Sequence, residues 1–204
     1  MANEQSYYIE YLKKTSRFPQ SIYHKAKHET VRAVFSSLSP GSRVLDAGCG
    51  VGHITGAYTD RYSIFGIDEQ ESTIQYCREN WKGTYLKGDL RKIPFEDNFF
   101  DAVLFLDAIE HIEQPLMALR ELARVLKPGS PFLACTMNYS SPLWFILEHT
   151  WHRFLGGNCK PYCQNVHPTQ YTEVLLREHC QVFFKEIYLR KRIMNMELFY
   201  FGKK

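Results

Sequence analysis

The feature that most constrains this chain is a glycine-rich turn after a short apolar run, in the sequence VLDAGCGVG at residues 44–52. Glycines at alternate positions allow positive φ and let the backbone bring its N–H groups close to a bound molecule. The spacing is G-x-G-x-G, which differs from the G-x-G-x-x-G of dinucleotide-binding folds. Asp46 would repel a phosphate at this turn, so we expect a ligand that carries an ammonium group or hydroxyl groups.

Composition sets the broad class of the protein. The 204 residues are enough for one domain with its own hydrophobic core. A formal net charge of +3 is too small to predict a nucleic-acid partner. The sequence has neither an apolar run of membrane-spanning length nor the core of a signal peptide, which favours a cytoplasmic protein. The six cysteines are dispersed, and we expect them to be reduced thiols.

The order of apolar segments predicts a parallel sheet. A helical extension over residues 1–40, with a helix at 21–38, precedes the first strand. Strands alternate with helix-length segments, as in βαβ units; they are predicted at residues 43–47, 63–67, 84–87, 101–106 and 131–136. Further helices are predicted at residues 115–126 and 169–179. Two last strands, at 182–189 and 197–201, are joined too closely for a crossover helix, so we expect them to be antiparallel.

Four aspartates stand at the ends of four successive predicted strands. Ligands of open parallel sheets bind beyond the carboxyl ends of the strands. Asp68 lies 16 residues beyond Gly52, where a carboxylate can accept the hydroxyls of a ribose. Asp89 is placed to accept an adenine amino proton, and Asp46 faces the ammonium end of an amino-acid tail. Asp107 ends the fourth strand. A nucleoside joined to an amino acid, as in S-adenosylmethionine, suits this set.

The segments around these acids resemble those of class I S-adenosylmethionine-dependent methyltransferases, in particular the type 11 and quinone O-methyltransferase-like groups. The resemblance covers about residues 43–136 in the family's order. It rests on VLDAGCGVGHIT (44–55), GIDE (66–69), GDLRKIPFEDNFFD (88–101), AVLFLDAIEHI (102–112) and LARVLKPGSPFLA (122–134). It implies an α/β, Rossmann-like, doubly wound fold, in which a seven-stranded, mostly parallel sheet ends in an antiparallel hairpin and carries helices on both faces. Residues 1–204 would form a single methyltransferase domain.

The same resemblance implies S-adenosylmethionine as the cofactor and assigns its contacts. The glycine turn would line the methionine part, and the segment from Gly88 to Leu90 would flank the adenine. The predicted cofactor-binding residues are Asp46, Gly48, Cys49, Gly50, Gly52, Asp68, Glu69, Gly88, Asp89, Leu90, Leu106 and Asp107. In the family the N-terminal segment often folds over the cofactor; the candidates for that lid are Tyr8, Tyr11, Lys25 and His28.

Glu110 and His111, just past the fourth strand, are the predicted catalytic residues. A base is needed only if the acceptor carries a proton, and an unperturbed imidazole titrates near neutral pH. The alternative is that His111 merely caps or packs at a helix start. The run from Asp107 to His111 resembles a Glu-x-x-Glu-His segment that is tied to a divalent metal in some quinone O-methyltransferases. Because the first acid here is the shorter aspartate, we predict no metal site.

An aromatic-rich insertion at residues 139–166 is the predicted source of acceptor specificity. Aromatic residues on more than one face suit a lid over an apolar acceptor, or a peripheral membrane contact through residues 142–155. The alternative is a helix that only completes the core. A zinc site among His149, His152, Cys159, Cys163 and His167 is disfavoured, because the two cysteines flank a proline in a loop and no second tight pair exists.

The predicted function is methyl transfer from S-adenosylmethionine to a small-molecule or lipid-like acceptor, at oxygen rather than nitrogen. The alternative within enzymes is an N-methyltransferase of a lipid headgroup or metabolite. The alternative of another class is a regulatory or partner subunit that binds S-adenosylmethionine without turnover. No nucleic-acid partner is expected, and the oligomeric state is not predicted.

Overall fold

A seven-stranded sheet forms the centre of the molecule, in a computed structural model that describes residues 20–149 and 167–204. Its strands are β1 (Arg43–Ala47), β2 (Ser63–Asp68), β3 (Thr84–Lys87), β4 (Ala102–Leu106), β5 (Pro131–Met137), β6 (Lys185–Arg192) and β7 (Glu197–Lys203). They lie in the order β3-β2-β1-β4-β5-β7-β6. The first five strands are parallel, and β7 pairs antiparallel with β5 and β6. The predicted fold class is therefore confirmed.

Helices cover both faces of this sheet. Those in the described ranges are α1 (Gln20–Ser36), α2 (Glu71–Asn80), α3 (Pro115–Val125), α4 (Pro142–His149) and α5 (Glu173–Gln181). On one face the apolar side of α1 packs on the sheet, and on the other face α3 and α5 do so. All five residues of β4 are buried, and they alternate between the two cores, because successive side chains of a strand point to opposite faces.

The C-terminal boundaries differ from those predicted. The helix predicted from residue 169 begins at Glu173, because the Thr172 hydroxyl accepts the Leu175 amide at 3.3 Å and caps the first turn. The strand predicted from residue 182 begins at Lys185, because the amides of residues 183 and 184 both donate to the Cys180 carbonyl and extend the end of α5. Both final strands also run two or three residues further than predicted.

Four of the six cysteines can be placed, and they agree with the prediction of reduced thiols. Cys49, Cys77, Cys135 and Cys180 are buried and free of disulfide bonds. The other two lie outside the described residues. In the described ranges, the helices are too short or too polar to cross a bilayer.

The register of the parallel strands brings their carboxyl ends to one edge. Ala47, at the end of β1, is paired with Ile67 of β2 and with Phe105 of β4. The last residues of these strands, Asp68 and Leu106 among them, therefore meet beside the glycine turn. This edge is where open parallel sheets bind their ligands.

Replacement of Phe35 by alanine tests how α1 is held on the sheet. Phe35 is buried and stacks on Tyr58, with 3.9 Å between the ring centroids. The cavity should lower the free energy of unfolding, measured by urea denaturation, by about 3–5 kcal/mol. Val174→Ala, at an exposed position of α5, is the control and should change it by less than about 0.5 kcal/mol. Equal effects of the two substitutions would contradict the packing of α1 on the core.

Candidate active site

The glycine turn after β1 adopts a backbone conformation that requires glycine. Gly48, Gly50 and Gly52 have φ values of +72°, +51° and +66°. A Cβ atom on Gly48 would also lie 2.5 Å from the Cβ of Ala108, closer than two carbon atoms can approach. The turn therefore brings bare backbone to the edge of the sheet, as the sequence predicts.

The amides of this turn are already used within the protein. Those of Gly48 and Cys49 donate to the Ile67 carbonyl at 2.8 and 3.1 Å. The Gly50 amide donates to Asp68 Oδ2 at 2.9 Å, and the Gly52 amide donates to the Cys49 carbonyl. The expectation that the turn offers its N–H groups to a ligand is therefore wrong for these four positions. What the turn offers is close approach, carbonyl oxygens and the neighbouring carboxylates.

Asp46 is buried at the base of the turn. Its Oδ2 accepts a hydrogen bond from the Thr55 hydroxyl at 2.6 Å, and its side chain lines the cleft. Burial raises the pKa of Asp46 to about 6, in spite of that hydrogen bond. With this pKa the buried carboxylate is still mostly ionised at neutral pH, and an ammonium group would compensate its charge.

Asp68 ends β2 and is held by three donors. Its Oδ1 accepts from the Gln70 amide at 2.9 Å and from the Thr73 hydroxyl at 3.1 Å, while Oδ2 accepts from Gly50. A carboxylate has about four acceptor positions, so room for about one more donor remains. Glu69, the next residue, is exposed.

The segment after β3 lies beside the end of β2. The Gly88 amide donates to the Asp68 carbonyl at 3.0 Å, and Leu90 is buried near Gly48. The Asp89 carboxylate is half-exposed and accepts both Nε and Nη2 of Arg91, at 2.8–3.0 Å. Because the side-chain hydrogen bond with Arg91 outweighs burial, the pKa of Asp89 lies below its ordinary value. A role in adenine binding stays a prediction.

Asp107, which follows β4, is held by a buried lysine of α1. Its φ is +48°, and its Oδ2 forms an ion pair with the Lys27 ammonium. Lys27 also lies 3.1 Å from Glu197 Oε1, at the start of β7. Burial would lower the pKa of Lys27, but the two carboxylates outweigh it and hold that pKa well above its usual value. This triad of one buried lysine and two carboxylates fastens α1 to the sheet.

A cleft lies between the glycine turn, the end of β4 and α1. It is lined by His24, Lys27, Asp46, Gly48, Cys49, Gly50, Val51, His53, Ile54, Leu106 and Asp107. Half of the predicted cofactor-binding residues are among them. The others lie beyond it, at the ends of β2 and β3 or, for Gly52, further along the turn.

The sequence analysis missed Lys27, His24 and His53. Lys25 and His28, named as lid candidates from the same helix, are exposed, whereas Lys27 is 5% exposed. Tyr8 and Tyr11 lie outside the described residues. A signal was available, because Lys27 precedes the buried Val31 and Val34 at the i, i+4, i+7 spacing of one helix face.

The two predicted catalytic residues have different environments. Glu110 is 1% exposed, and among the described residues its Oε2 has no hydrogen-bond partner. Burial, and then the charge of Asp107, raise the pKa of Glu110 to about 8. Glu110 is therefore mostly protonated at neutral pH. His111 is exposed, and its ring packs edge-on against the buried His167, with 4.5 Å between the centroids.

Two groups of described side chains could each offer three ligand atoms to one ion. Glu110, His111 and His167 bring theirs within 4.8 Å of one another, and so do Asp107, Cys135 and Glu197. The second group already surrounds the Lys27 ammonium. The zinc cluster weighed from the sequence falls mostly outside the described residues.

Residues 45–134 match the family described as methyltransferase domain. The chain carries a class I, S-adenosylmethionine-dependent methyltransferase domain. The match covers the glycine turn and the end of β4, which line the cleft, and the ends of β2 and β3 beside it. S-adenosylmethionine is the cofactor of this class of domain.

The domain is similar to several known proteins. It is 36% identical to the sterol 24-C-methyltransferase of Schizosaccharomyces pombe, over 63% of this chain and 35% of that protein. It is 39% identical to the malonyl-[acyl-carrier protein] O-methyltransferase of Erwinia pyrifoliae, over 50% of this chain and 40% of that protein. The chain thus matches about a third of the length of the sterol relative. A Thermotoga maritima S-adenosylmethionine-dependent methyltransferase shares the fold, with 18% identity and a TM-score of 0.70. The superposition covers 98% of this chain and 97% of that chain.

Binding of S-adenosylhomocysteine, the demethylated cofactor, should weaken in acid because Asp46 takes up a proton. The folded-state pKa of Asp46 is about 6, so its carboxylate is mostly ionised at about pH 7.5 and mostly neutral at about pH 5. We expect the Kd measured by calorimetry to be about tenfold higher at the lower pH. In Asp46→Asn the Kd should be raised at about pH 7.5 and vary less with pH. A wild-type Kd that is equal at both pH values would contradict this role.

Proposed function

We propose that this chain transfers the methyl group of S-adenosylmethionine to an apolar, lipid-like acceptor. The observation that supports the proposal is the Gly50–Asp68 hydrogen bond, which holds the Asp68 carboxylate, our proposed ribose ligand, beside the glycine turn that follows Asp46. The donor set fits the cofactor, because a buried carboxylate compensates an ammonium group and a strand-end carboxylate accepts ribose hydroxyls.

The residues of the cleft, and those beyond it at the ends of β2 and β3, each receive a part of the cofactor. Asp46 accepts the ammonium group of the methionyl tail, and the glycine turn packs against that tail. Asp68 has room for about one ribose hydroxyl beyond the donors that it already binds. We assign the second hydroxyl to Glu69. The segment from Gly88 to Leu90 flanks the adenine.

When bound, the cofactor supplies a methyl group that its sulfonium makes electrophilic. Asp46 and Asp68 would hold this cofactor, which would give its methyl group to the acceptor's electron pair and leave as the neutral thioether. The protein contributes chiefly by holding the two reacting atoms in line at near-attack distance. His111 accepts the proton of a hydroxyl acceptor. Glu110, which is mostly protonated at neutral pH, serves as a hydrogen-bond donor rather than as a base.

The lipid-like acceptor is supported by likeness and by the described part of the insertion. The matched relatives are named for sterol and for acyl-carrier-protein substrates. In α4, Trp144 is 3% exposed, whereas the adjacent Phe145 and Ile146 are 60% and 53% exposed. Their apolar side chains would suit a surface over which an apolar acceptor enters. The name of the sterol relative specifies a carbon acceptor, and the name of the acyl-carrier-protein relative specifies an oxygen acceptor. Methylation of oxygen by this chain therefore stays a prediction.

Transfer of a tritiated methyl group tests the function. We expect labelled product from a panel containing a sterol with a side-chain alkene, a prenylated quinol, a malonyl thioester with a free carboxylate and a phosphatidylethanolamine. Asp68→Asn should weaken the binding of S-adenosylhomocysteine by about 10- to 100-fold, because a charged hydrogen bond contributes about 1.5–3 kcal/mol. Asp60→Asn, at an exposed aspartate paired with Lys82, is the matched control and should change neither binding nor transfer.

The outcomes separate the alternatives. Label on the quinol or thioester supports oxygen, label on the phosphatidylethanolamine supports the N-methyltransferase, and label on the alkene moves the acceptor atom to carbon. Tight binding of S-adenosylhomocysteine with no transfer to any acceptor would favour the non-catalytic subunit. Binding unchanged in Asp68→Asn would contradict the ribose assignment.

A peripheral membrane contact is the second part of the proposal. Among the described side chains of α4, Phe145 and Ile146 are the large apolar ones that are exposed and could enter a bilayer surface, whereas Trp144 is buried. Phe145→Ser with Ile146→Ser should reduce sedimentation with phosphatidylcholine–phosphatidylglycerol liposomes by at least about threefold, because most of the buried apolar area is lost. Val174→Ser with Val182→Ser, two exposed apolar positions near α5, is the control. Equal sedimentation of the two double variants would contradict the contact.

A further inference from the structure

The Lys27 ammonium lies in the cleft that Asp46 and the glycine turn also line. Lys27 reaches the cleft from α1, and its side chain is 7% exposed. Among the described residues that line the cleft, it is the one permanent cation. A lysine is rarely buried to this extent unless its charge is compensated.

We propose that Lys27 binds the carboxylate of the cofactor's methionyl tail. An ammonium group has three N–H donors. Asp107 takes one, and Glu197 Oε1, at 3.1 Å, takes a second. The third donor is left for a group in the cleft, and the cleft is where the methionyl tail lies under the proposed function, on which this inference rests.

The chemistry of the tail demands a cation at this end of the cleft. The ammonium and carboxylate groups of methionine are attached to the same carbon atom. If Asp46 accepts the ammonium, the carboxylate must lie next to it, near Asp107. Without Lys27 the carboxylate of the tail would face the carboxylates of Asp46 and Asp107 in a site of low dielectric, which is strongly unfavourable.

The other polar side chains at this end cannot supply a positive charge. His24 Nδ1 lies 3.2 Å from His53 Nε2, so one imidazole donates to the other. Burial lowers the pKa of both histidines to about 4. The next largest cause is the charge of Lys27 for His24, and the charge of His24 for His53. Both imidazoles are therefore neutral at physiological pH. They shape the wall of the cleft beside the lysine.

Two ligands that differ only in the carboxylate test the assignment. S-adenosylhomocysteine carries it, and S-adenosyl-3-thiopropylamine is the same molecule without it. Calorimetry should show that Lys27→Met raises the Kd of S-adenosylhomocysteine by about 10- to 100-fold, which is the range for a charged hydrogen bond. The Kd of S-adenosyl-3-thiopropylamine should rise by less than about twofold. Arg32→Met, at an exposed arginine of the same helix, is the matched control and should change neither affinity.

Equal weakening of both ligands in Lys27→Met would overturn the proposal and leave Lys27 a purely structural counter-ion. Unchanged binding of both would also overturn it. Because Lys27→Met leaves Glu197 without its buried counter-ion, Lys27→Met with Glu197→Gln is the second variant; it should show the same ligand preference. Failure of the wild-type protein to bind S-adenosylhomocysteine would instead reject the proposed function, so the two failures are distinguishable.

Discussion

The hydrogen bond from the Gly50 amide to Asp68 fixes the end of β1 against the end of β2, and the arrangement of the cleft depends on it. The same carboxylate accepts from Gln70 and Thr73, so it also sets where α2 begins. A charged acceptor of this kind is stronger than a neutral one. One side chain therefore positions the glycine turn, the second strand and the first turn of a helix, and keeps about one acceptor position for a ligand.

The charges around the cleft favour a cationic ligand. Asp46, Asp68 and Asp107 stand within or beside it, and one buried lysine opposes them. Burial raises the pKa of Asp46 to about 6 and that of Glu197 to about 7, which reflects the cost of holding several carboxylates together away from water. Under the proposed function, a ligand with a sulfonium and an ammonium group relieves that cost.

The sequence predicted the strands and the residues at their ends because alternation and turn chemistry are local signals. The positions of Asp46 and Asp68 follow directly from them. It did not predict that the turn's amides are consumed by Ile67 and Asp68, because those bonds join distant segments. The burial of Lys27 was missed for the same reason, although its helical spacing from Val31 pointed to it. Glu110 and His111 are adjacent in sequence, and only the fold separates a buried acid from an exposed imidazole.

The proposed function requires that S-adenosylmethionine binds at the carboxyl ends of β1, β2 and β4. A crystal structure of the protein with S-adenosylhomocysteine would show where the cofactor lies. We expect electron density for the methionyl tail between Asp46 and Lys27, and for the ribose at Asp68. Density for the ligand at another edge of the sheet, or a ribose that makes no contact with Asp68 or Glu69, would contradict it.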